Sequence, residues 1–453
     1  MMEKMDYNTI KTIAKERGIN TTDLLAMSAG RDPFNIGKPA EIKQARWAYN
    51  IWCDMGRPEN VHLRRIYYWF VSQKNPTRYS GERFMNQKKD WQHLAESFAA
   101  ARILNLIPFH SIADHKHPTP EVNLVVGEDQ DIRIDSNTCW SGDIPPDRIR
   151  VSIDDVFLRD SEIYYDSLEP LLDLGKRLPY HIEIWVEKST LSDVFMNVKR
   201  KYPMINIQEG EGELSYTRVL DLIKRMKKYN KPVRIFYISD FDPMGYNMPN
   251  SIARKIEFFM DQEGIELDVK LNPLILTKEQ CIKYNLPRIP LKDTESKKEQ
   301  WENKQGEGAT ELDALEALHP GKIGLLIESA ISPYYPEEFV GAWADYVHEY
   351  HNAIRDFNFS LDECIDELIK PIERDIKEKL LEAVGDKNIP YVLDVAAAKK
   401  ELDEKLDDLI EPTPEPPAEP GNWLFDSVRG YEEQIGFYKK YARGELNESL
   451  HRG

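Results

Sequence analysis

A chain of 453 residues is long enough for two or three domains with cores of their own. Its 60 Lys and Arg against 78 Asp and Glu leave a net charge of −18, so any polyphosphate contact must sit on a local basic surface. The four cysteines, Cys53, Cys139, Cys281 and Cys364, have no zinc spacing and argue against a disulfide framework, which fits a reducing compartment. Met1 to Ala14 lacks an apolar core of signal-peptide length, and no segment is long enough to span a bilayer. The expectation is a soluble, cytoplasmic protein without a membrane partner.

Glu41 to His110 carries eleven Lys and Arg against six Asp and Glu, a basic stretch in an acidic chain. Three helices are predicted in it, Ile42 to Trp52, Val61 to Gln73 and Phe84 to Leu104, as a helix-turn-helix or winged-helix module would have. Candidate DNA contacts are Arg64, Arg65, Lys74, Arg78, Lys88 and Lys89. In the second helix a rotation of about 100° per residue puts Leu63, Ile66, Tyr67 and Phe70 on one face. Arg64 and Tyr68, four apart, share another, where a guanidinium could neutralise phosphate beside a phenol. Tyr67 is therefore core and Tyr68 the candidate for chemistry. A phenol with a pKa near ~10 becomes a nucleophile only beside a base, a cation or a metal-activated substrate. His110, Asp114, His115 and His117 follow, and a solvated loop or wing is a better reading of them than a metal site.

His181-Ile-Glu-Ile-Trp-Val alternates as a strand does and ends in Glu187-Lys188. After the glycine turn Glu209-Gly210-Glu211-Gly212, Ser215 to Tyr229 has Val219, Leu222, Ile223 and Met226 at helical spacing. Val233 to Ile238 then reads as a buried strand of a parallel sheet, and ligands collect beyond the carboxyl ends of such strands. Asp240 and Asp242 stand there, hard oxygen ligands suited to Mg²⁺ held partly by water and phosphate, and Gly245 lets the backbone turn closely. A right-handed crossover would bring the Glu187 and Asp240 strand ends together.

Past Ser332 long helices are expected, with Ile365, Leu368, Ile372, Ile376 and Leu380 near a 3.6 period and Pro371 kinking or dividing them. Glu411 to Pro420 reads as an extended linker. Leu424, Val428, Tyr431, Ile435 and Tyr438 then step as an amphipathic helix that either docks on the body or binds a partner.

Val-Glu187-Lys, the glycine turn and Asp240-Phe-Asp242-Pro-Met-Gly together resemble the Toprim domain of topoisomerases and related nucleases. Arg64-Arg-Ile-Tyr-Tyr68 resembles the Arg-x-Ile-Tyr-Tyr element of the topoisomerase VI A subunit and the related meiotic double-strand-break transesterase. Leu274 to Leu286 with Glu311-Leu-Asp313 resembles the segment closing that family's Toprim region, without a catalytic role for Glu311 or Asp313. The likeness spans roughly Asp32 to Ile331. It implies an α/β fold with α-rich flanks: a winged-helix DNA-binding domain over 1–118, a connecting segment over 119–180 and a Toprim domain with a Rossmann-like parallel sheet over 181–331. A helical extension over 332–410, the linker over 411–421 and the terminal helix over 422–453 would follow. It further implies Tyr68 as nucleophile beside Arg64, with Glu187, Asp240 and Asp242 as the acid/base and metal set for Mg²⁺ or Mn²⁺. The expected function is Mg²⁺-dependent cleavage of double-stranded DNA by a homodimer through tyrosyl transesterification. No ATP-binding loop is present, so strand passage would need a separate ATPase subunit. A hydrolytic Toprim nuclease and a non-catalytic DNA-binding scaffold are the alternatives.

Overall fold

The computed structural model describes residues 5–114, 116–124, 139–141, 148–151, 164–166, 174–291, 298–379, 391–394, 396–419 and 421–446. The chain divides into two compact units: Met1–Leu124 with Pro179–Tyr335 and Pro417–Gly453, and Val125–Leu178 with Pro336–Pro416. Among the described residues no helix is long and apolar enough to cross a membrane.

The first unit is α/β, built around a five-stranded sheet ordered Phe425–Asp426, Val269–Ile275, Val233–Ile238, His181–Val186, Asn206–Glu209. The last four run parallel, and only Phe425–Asp426 is antiparallel to its neighbour. Every residue of His181–Val186 and Val233–Ile238 is buried, the signature of parallel strands covered on both faces. Between these two strands lie the helix Ser192–Lys201, the strand Asn206–Glu209 and the helix Tyr216–Tyr229. The expected single-helix crossover is thus corrected by a strand whose polar residues disguise it. Asn206 and Gln208 are fully buried. Asn206 Oδ1 accepts from the amides of Asn123 and Leu124, at 2.8 and 3.0 Å, and Gln208 Nε2 donates to the Pro118 carbonyl at 3.1 Å.

A buried ionic network locks this register. The Glu183 carboxylate accepts both Arg225 Nε and Nη2 at 2.8 Å, Trp185 Nε1 at 2.9 Å and Asn206 Nδ2 at 3.0 Å, with His181 Nε2 at 2.6 Å. Burial alone would raise the Glu183 pKa, but the Arg225 charge and the His181 hydrogen bond overcome it and hold the carboxyl well below the usual range. Such a depressed group stabilises the fold above its unfolded pKa and loses that contribution as pH falls. Arg225→Met removes the bidentate guanidinium from the buried carboxylate, so we expect a loss of about 3–5 kcal/mol, read from urea midpoints.

Ahead of the sheet, three helices form a module with a core of its own: Pro39–Asp54, Leu63–Val71 and Lys88–Ile103. Ala45 and Ala48 on the first and Ala101 on the third are fully buried, letting these two helices lie close beside Leu94 and Phe98. Val61–His62 pairs in parallel with Ile112–Ala113, so the chain after the third helix enters a parallel ladder where a wing was an alternative reading.

The C-terminal segment docks on this unit. Glu419 pairs with Arg234 and Lys270, so the end of the proline-rich stretch is tied down. The following helix is Tyr431–Ala442, shorter than the periodicity suggests: Leu424 is buried before the edge strand and Val428 is 74 % exposed in the turn after it. Tyr431 and Tyr438 reach a buried cluster of Asp32, Arg254 and Glu257.

In the second unit Arg148–Val151 pairs antiparallel with Tyr391–Asp394, and Cys139–Ser141 parallel with Tyr164–Asp166. The expected connecting segment therefore shares a sheet with the late part of the chain. Glu337–Lys379 is one helix of 43 residues running through Pro371, not divided there. Proline deletes one hydrogen bond of the ladder, and the remaining turns carry the helix across it. Leu380 and His115 lie outside the described residues.

Candidate active site

Two hydrogen-bonded strands, in register Val186↔Ile238, end side by side and deliver Glu187 and Asp240 to the same place. The Glu187 amide donates to the Ile238 carbonyl at 2.9 Å, and the Asp240 amide donates to Glu187 Oε2 at 3.1 Å. Both carboxylates are nearly buried, 8 % and 5 % exposed. Asp242 Oδ1 accepts the amides of Met244 and Gly245 at 2.8 and 2.7 Å, closing the turn on itself. Its other oxygen has no hydrogen-bond partner among the described residues.

Glycines make the approach feasible. A Cβ at Gly245 would stand 2.4 Å from the Asp240 carbonyl oxygen and 3.0 Å from Glu187 Oε2. At Gly210 it would stand 3.1 Å from the Val186 carbonyl oxygen, and the Gly212 amide, at φ +85°, donates to the Glu187 carbonyl at 3.3 Å. Gly245→Ala is therefore expected to displace the turn, costing about 1–3 kcal/mol by urea denaturation and most of any activity that depends on the cluster.

Lys188, Glu311 and Asp313 also join the site. Lys188 Nζ lies 2.8 Å from Asp240 Oδ2, pairs with Glu311 and is 3.6 Å from Asp313 Oδ2. Burial lowers its pKa, but the hydrogen bonds to Asp240 and Glu311 prevail and raise it above an ordinary lysine value. Leu312 N donates to Asp240 Oδ1 at 2.8 Å. A paired bridge between Phe241 and Thr310 brings this acidic segment alongside the Asp240 turn. Burial, then the charge of Asp240, pushes the Glu187 carboxyl up to about 7, and Asp240 is itself raised by burial against the pull of Lys188 and Leu312 N.

Among the described residues no three acidic, His or Cys side chains are already gathered as a metal-binding group. The donors are nevertheless all carboxylate oxygens, and Glu187 and Asp240 are packed together with their negative charge incompletely offset. That chemistry fits a hard divalent cation completing its shell with water and phosphate.

The helical module presents the other candidates. Ile66 and Tyr67 are buried with Leu63 and Phe70 packed against the same core, while Tyr68 is 56 % exposed on the opposite side. Arg64 is exposed and lies 6.0 Å from the Trp91 ring centroid. Arg65, Lys74, Lys88 and Lys89 are exposed. Arg78 is committed elsewhere: it pairs with the fully buried Asp90 at 2.7 Å and with Glu82 at 3.0 Å, so its charge is largely neutralised within the fold. No hydrogen bond or ion pair among the described residues joins Tyr68 or Arg64 to the carboxylate cluster.

The histidine-rich stretch is structural where it is described. His117 Nδ1 lies 2.8 Å from Asp114 Oδ2, an oxygen shared with Ser215 Oγ at 2.5 Å, and Arg218 Nη2 donates to the His117 carbonyl at 2.7 Å. Together these contacts anchor the segment leaving the helical module to the Tyr216–Tyr229 helix. No family model matches the chain, and no curated protein matches it.

Proposed function

We propose that this protein is a Mg²⁺-dependent, topoisomerase VI A-like enzyme that cleaves double-stranded DNA, with the Glu187–Asp240–Asp242 cluster of a Toprim domain as its acid/base and metal centre. The observation that carries the reading is the convergence of these acids at two adjoining parallel strand ends, enforced by Gly245, in a chain whose exposed tyrosine stands on a separate basic helical module. Glu187, Asp240 and Asp242 would hold the cation, which supplies charge stabilisation at the phosphoryl group.

Tyr68 Oη attacks the phosphorus, forming a phosphotyrosyl bond as the bond to the deoxyribose oxygen breaks. The phenolic proton passes to Glu187, and the leaving oxygen takes up a proton in turn. Arg64 beside Tyr68 neutralises phosphate charge, and Lys188 holds Asp240 in place. Because no hydrogen bond or ion pair among the described residues joins Tyr68 to the acids, cleavage would take place in a homodimer in which each tyrosine meets the partner's cluster, one site per strand. The same separation favours a second reading, hydrolysis by water at the cluster, with Tyr68 a DNA contact.

Supercoiled plasmid incubated with the protein and Mg²⁺ or Mn²⁺, stopped with detergent and split into protease-treated and untreated halves, tests both. Protein-linked breaks support transesterification and protein-free breaks support hydrolysis. Salt-sensitive DNA binding with no cleavage in either metal overturns the enzymatic reading and leaves a scaffold.

A further inference from the structure

Away from the carboxylate cluster, a cavity of about 300 Å³ opens where the C-terminal segment lies against the Val269–Ile275 strand. Tyr246 and Tyr441 line it, stacked on one another with centroids 4.6 Å apart and joined by a 2.8 Å hydrogen bond from the Tyr246 hydroxyl to the Tyr441 carbonyl. Three cations face it, Lys278, Lys304 and Arg443, against one acid, Glu279. Lys278 Nζ donates to the Lys304 carbonyl at 3.1 Å. Neither lysine forms an ion pair with a described residue, and the partner of Arg443, Glu445, is half exposed. In a protein of net charge −18, this local excess of positive charge is a feature of the cavity. Asn272 also lines it, only 4 % exposed, with a buried Oδ1 that has no hydrogen-bond partner among the described residues.

A buried acceptor without a donor is a standing penalty to the fold, which a ligand that donates to it relieves. The cavity lies at the lower end of the roughly 300–1,000 Å³ range of small-molecule sites, more space than a bare oxyanion fills. A ligand that satisfies all three features has an anionic end for the lysines and Arg443, a flat body for the tyrosine wall and an N–H donor for Asn272. We infer that this cavity binds a nucleoside monophosphate whose base carries an exocyclic amine, with the phosphate at Lys278, Lys304 and Arg443 and the amine at Asn272. Asparagine recognises an adenine edge through its amino group in the same way. Such a ligand would tie the C-terminal segment to the sheet and stabilise the pair against separation. This inference is independent of the DNA-cleavage reading.

Calorimetric titration of the full chain in the presence of a chelator, which removes metal-mediated binding at the carboxylates, tests it with AMP, purine riboside monophosphate (whose base carries no N–H), adenosine and inorganic phosphate as probes. AMP is expected to saturate at one per chain, with purine riboside monophosphate, adenosine and phosphate each weaker by about tenfold or more. The Lys278→Gln/Lys304→Gln variant should weaken AMP by at least about tenfold without lowering the melting temperature. Asn272→Leu should erase the preference for AMP over purine riboside monophosphate. The surface lysine pair keeps the test decisive if Asn272→Leu fails to fold. AMP binding no tighter than phosphate, or undiminished in the lysine variant, overturns the inference.

Discussion

Tyr68→Phe is expected to eliminate protein-linked DNA ends, lowering their formation by more than about a thousandfold while DNA affinity stays near that of the unsubstituted protein. The variant is a clean one because the Tyr68 ring remains to pack at 5.4 Å from Tyr67, and its hydroxyl has no hydrogen bond among the described residues. Stability should change by no more than about 0.5 kcal/mol. Tyr67→Phe is the control: the Tyr67 hydroxyl reaches the Met85 and Gln87 carbonyls at 3.3 Å and Asn86 Oδ1 at 3.1 Å, so its loss costs about 1 kcal/mol and leaves the chemistry intact. Gel analysis of protease-treated and untreated plasmid reads the difference. Undiminished, protein-free cleavage by Tyr68→Phe would assign the reaction to water.

The same variant tests the shared site. A heterodimer of a Tyr68→Phe subunit and an Asp240→Ala subunit contains one tyrosine facing one intact acid cluster if the sites are shared, and none if each subunit is self-contained. Mixing two inactive proteins should then restore nicking of single strands without double-strand breaks. Absence of nicking after verified subunit exchange would remove the trans arrangement.

The strands carrying Glu187 and Asp240 were legible in the sequence for different reasons, the first by its alternation over His181–Val186 and the second by its nearly unbroken apolar run over Val233–Ile238. The face assignment of Tyr67 and Tyr68 was legible for a similar reason, the regular turn of a helix. Asn206–Glu209 was hidden because its stabilisation comes from side-chain amides bonded to Asn123, Leu124 and Pro118, residues more than 80 positions away in the chain. Glu311 and Asp313 were equally hidden as members of the cluster. They reach Lys188 only through the pairing of Phe241 with Thr310, which no local pattern announces. Arg78 shows the limit of charge counting: its place in a basic stretch suggests a DNA contact, yet a buried Asp90 already holds it. The terminal helix was legible as an element, but its docking depends on Asp32 and Arg254, distant in sequence and buried together.

Glu187→Gln should abolish cleavage, a loss of at least about a hundredfold, and also change how the metal-free protein responds to pH. With its carboxyl raised to about 7, Glu187 binds a proton more tightly in the folded than in the unfolded chain. Its contribution to stability is full below the unfolded pKa near ~4.3 and is lost as pH rises through about 7. Urea midpoints of the metal-free protein should therefore fall across that window, and Glu187→Gln should be more stable than the parent near pH ~8 by on the order of 2–3 kcal/mol. Mg²⁺ binding requires the carboxylate, so the cation should restore the parent's stability at the alkaline end and affect the glutamine variant little. Asp240→Ala behaves differently: it removes the charge pressing on Glu187, but it also takes the acceptor from the Leu312 amide and a partner from Lys188. It should lose cleavage and also about 1–3 kcal/mol of stability. A glutamine variant that retains cleavage, or a parent whose metal-free stability does not fall between those pH values, would remove Glu187 from the proton-transfer role.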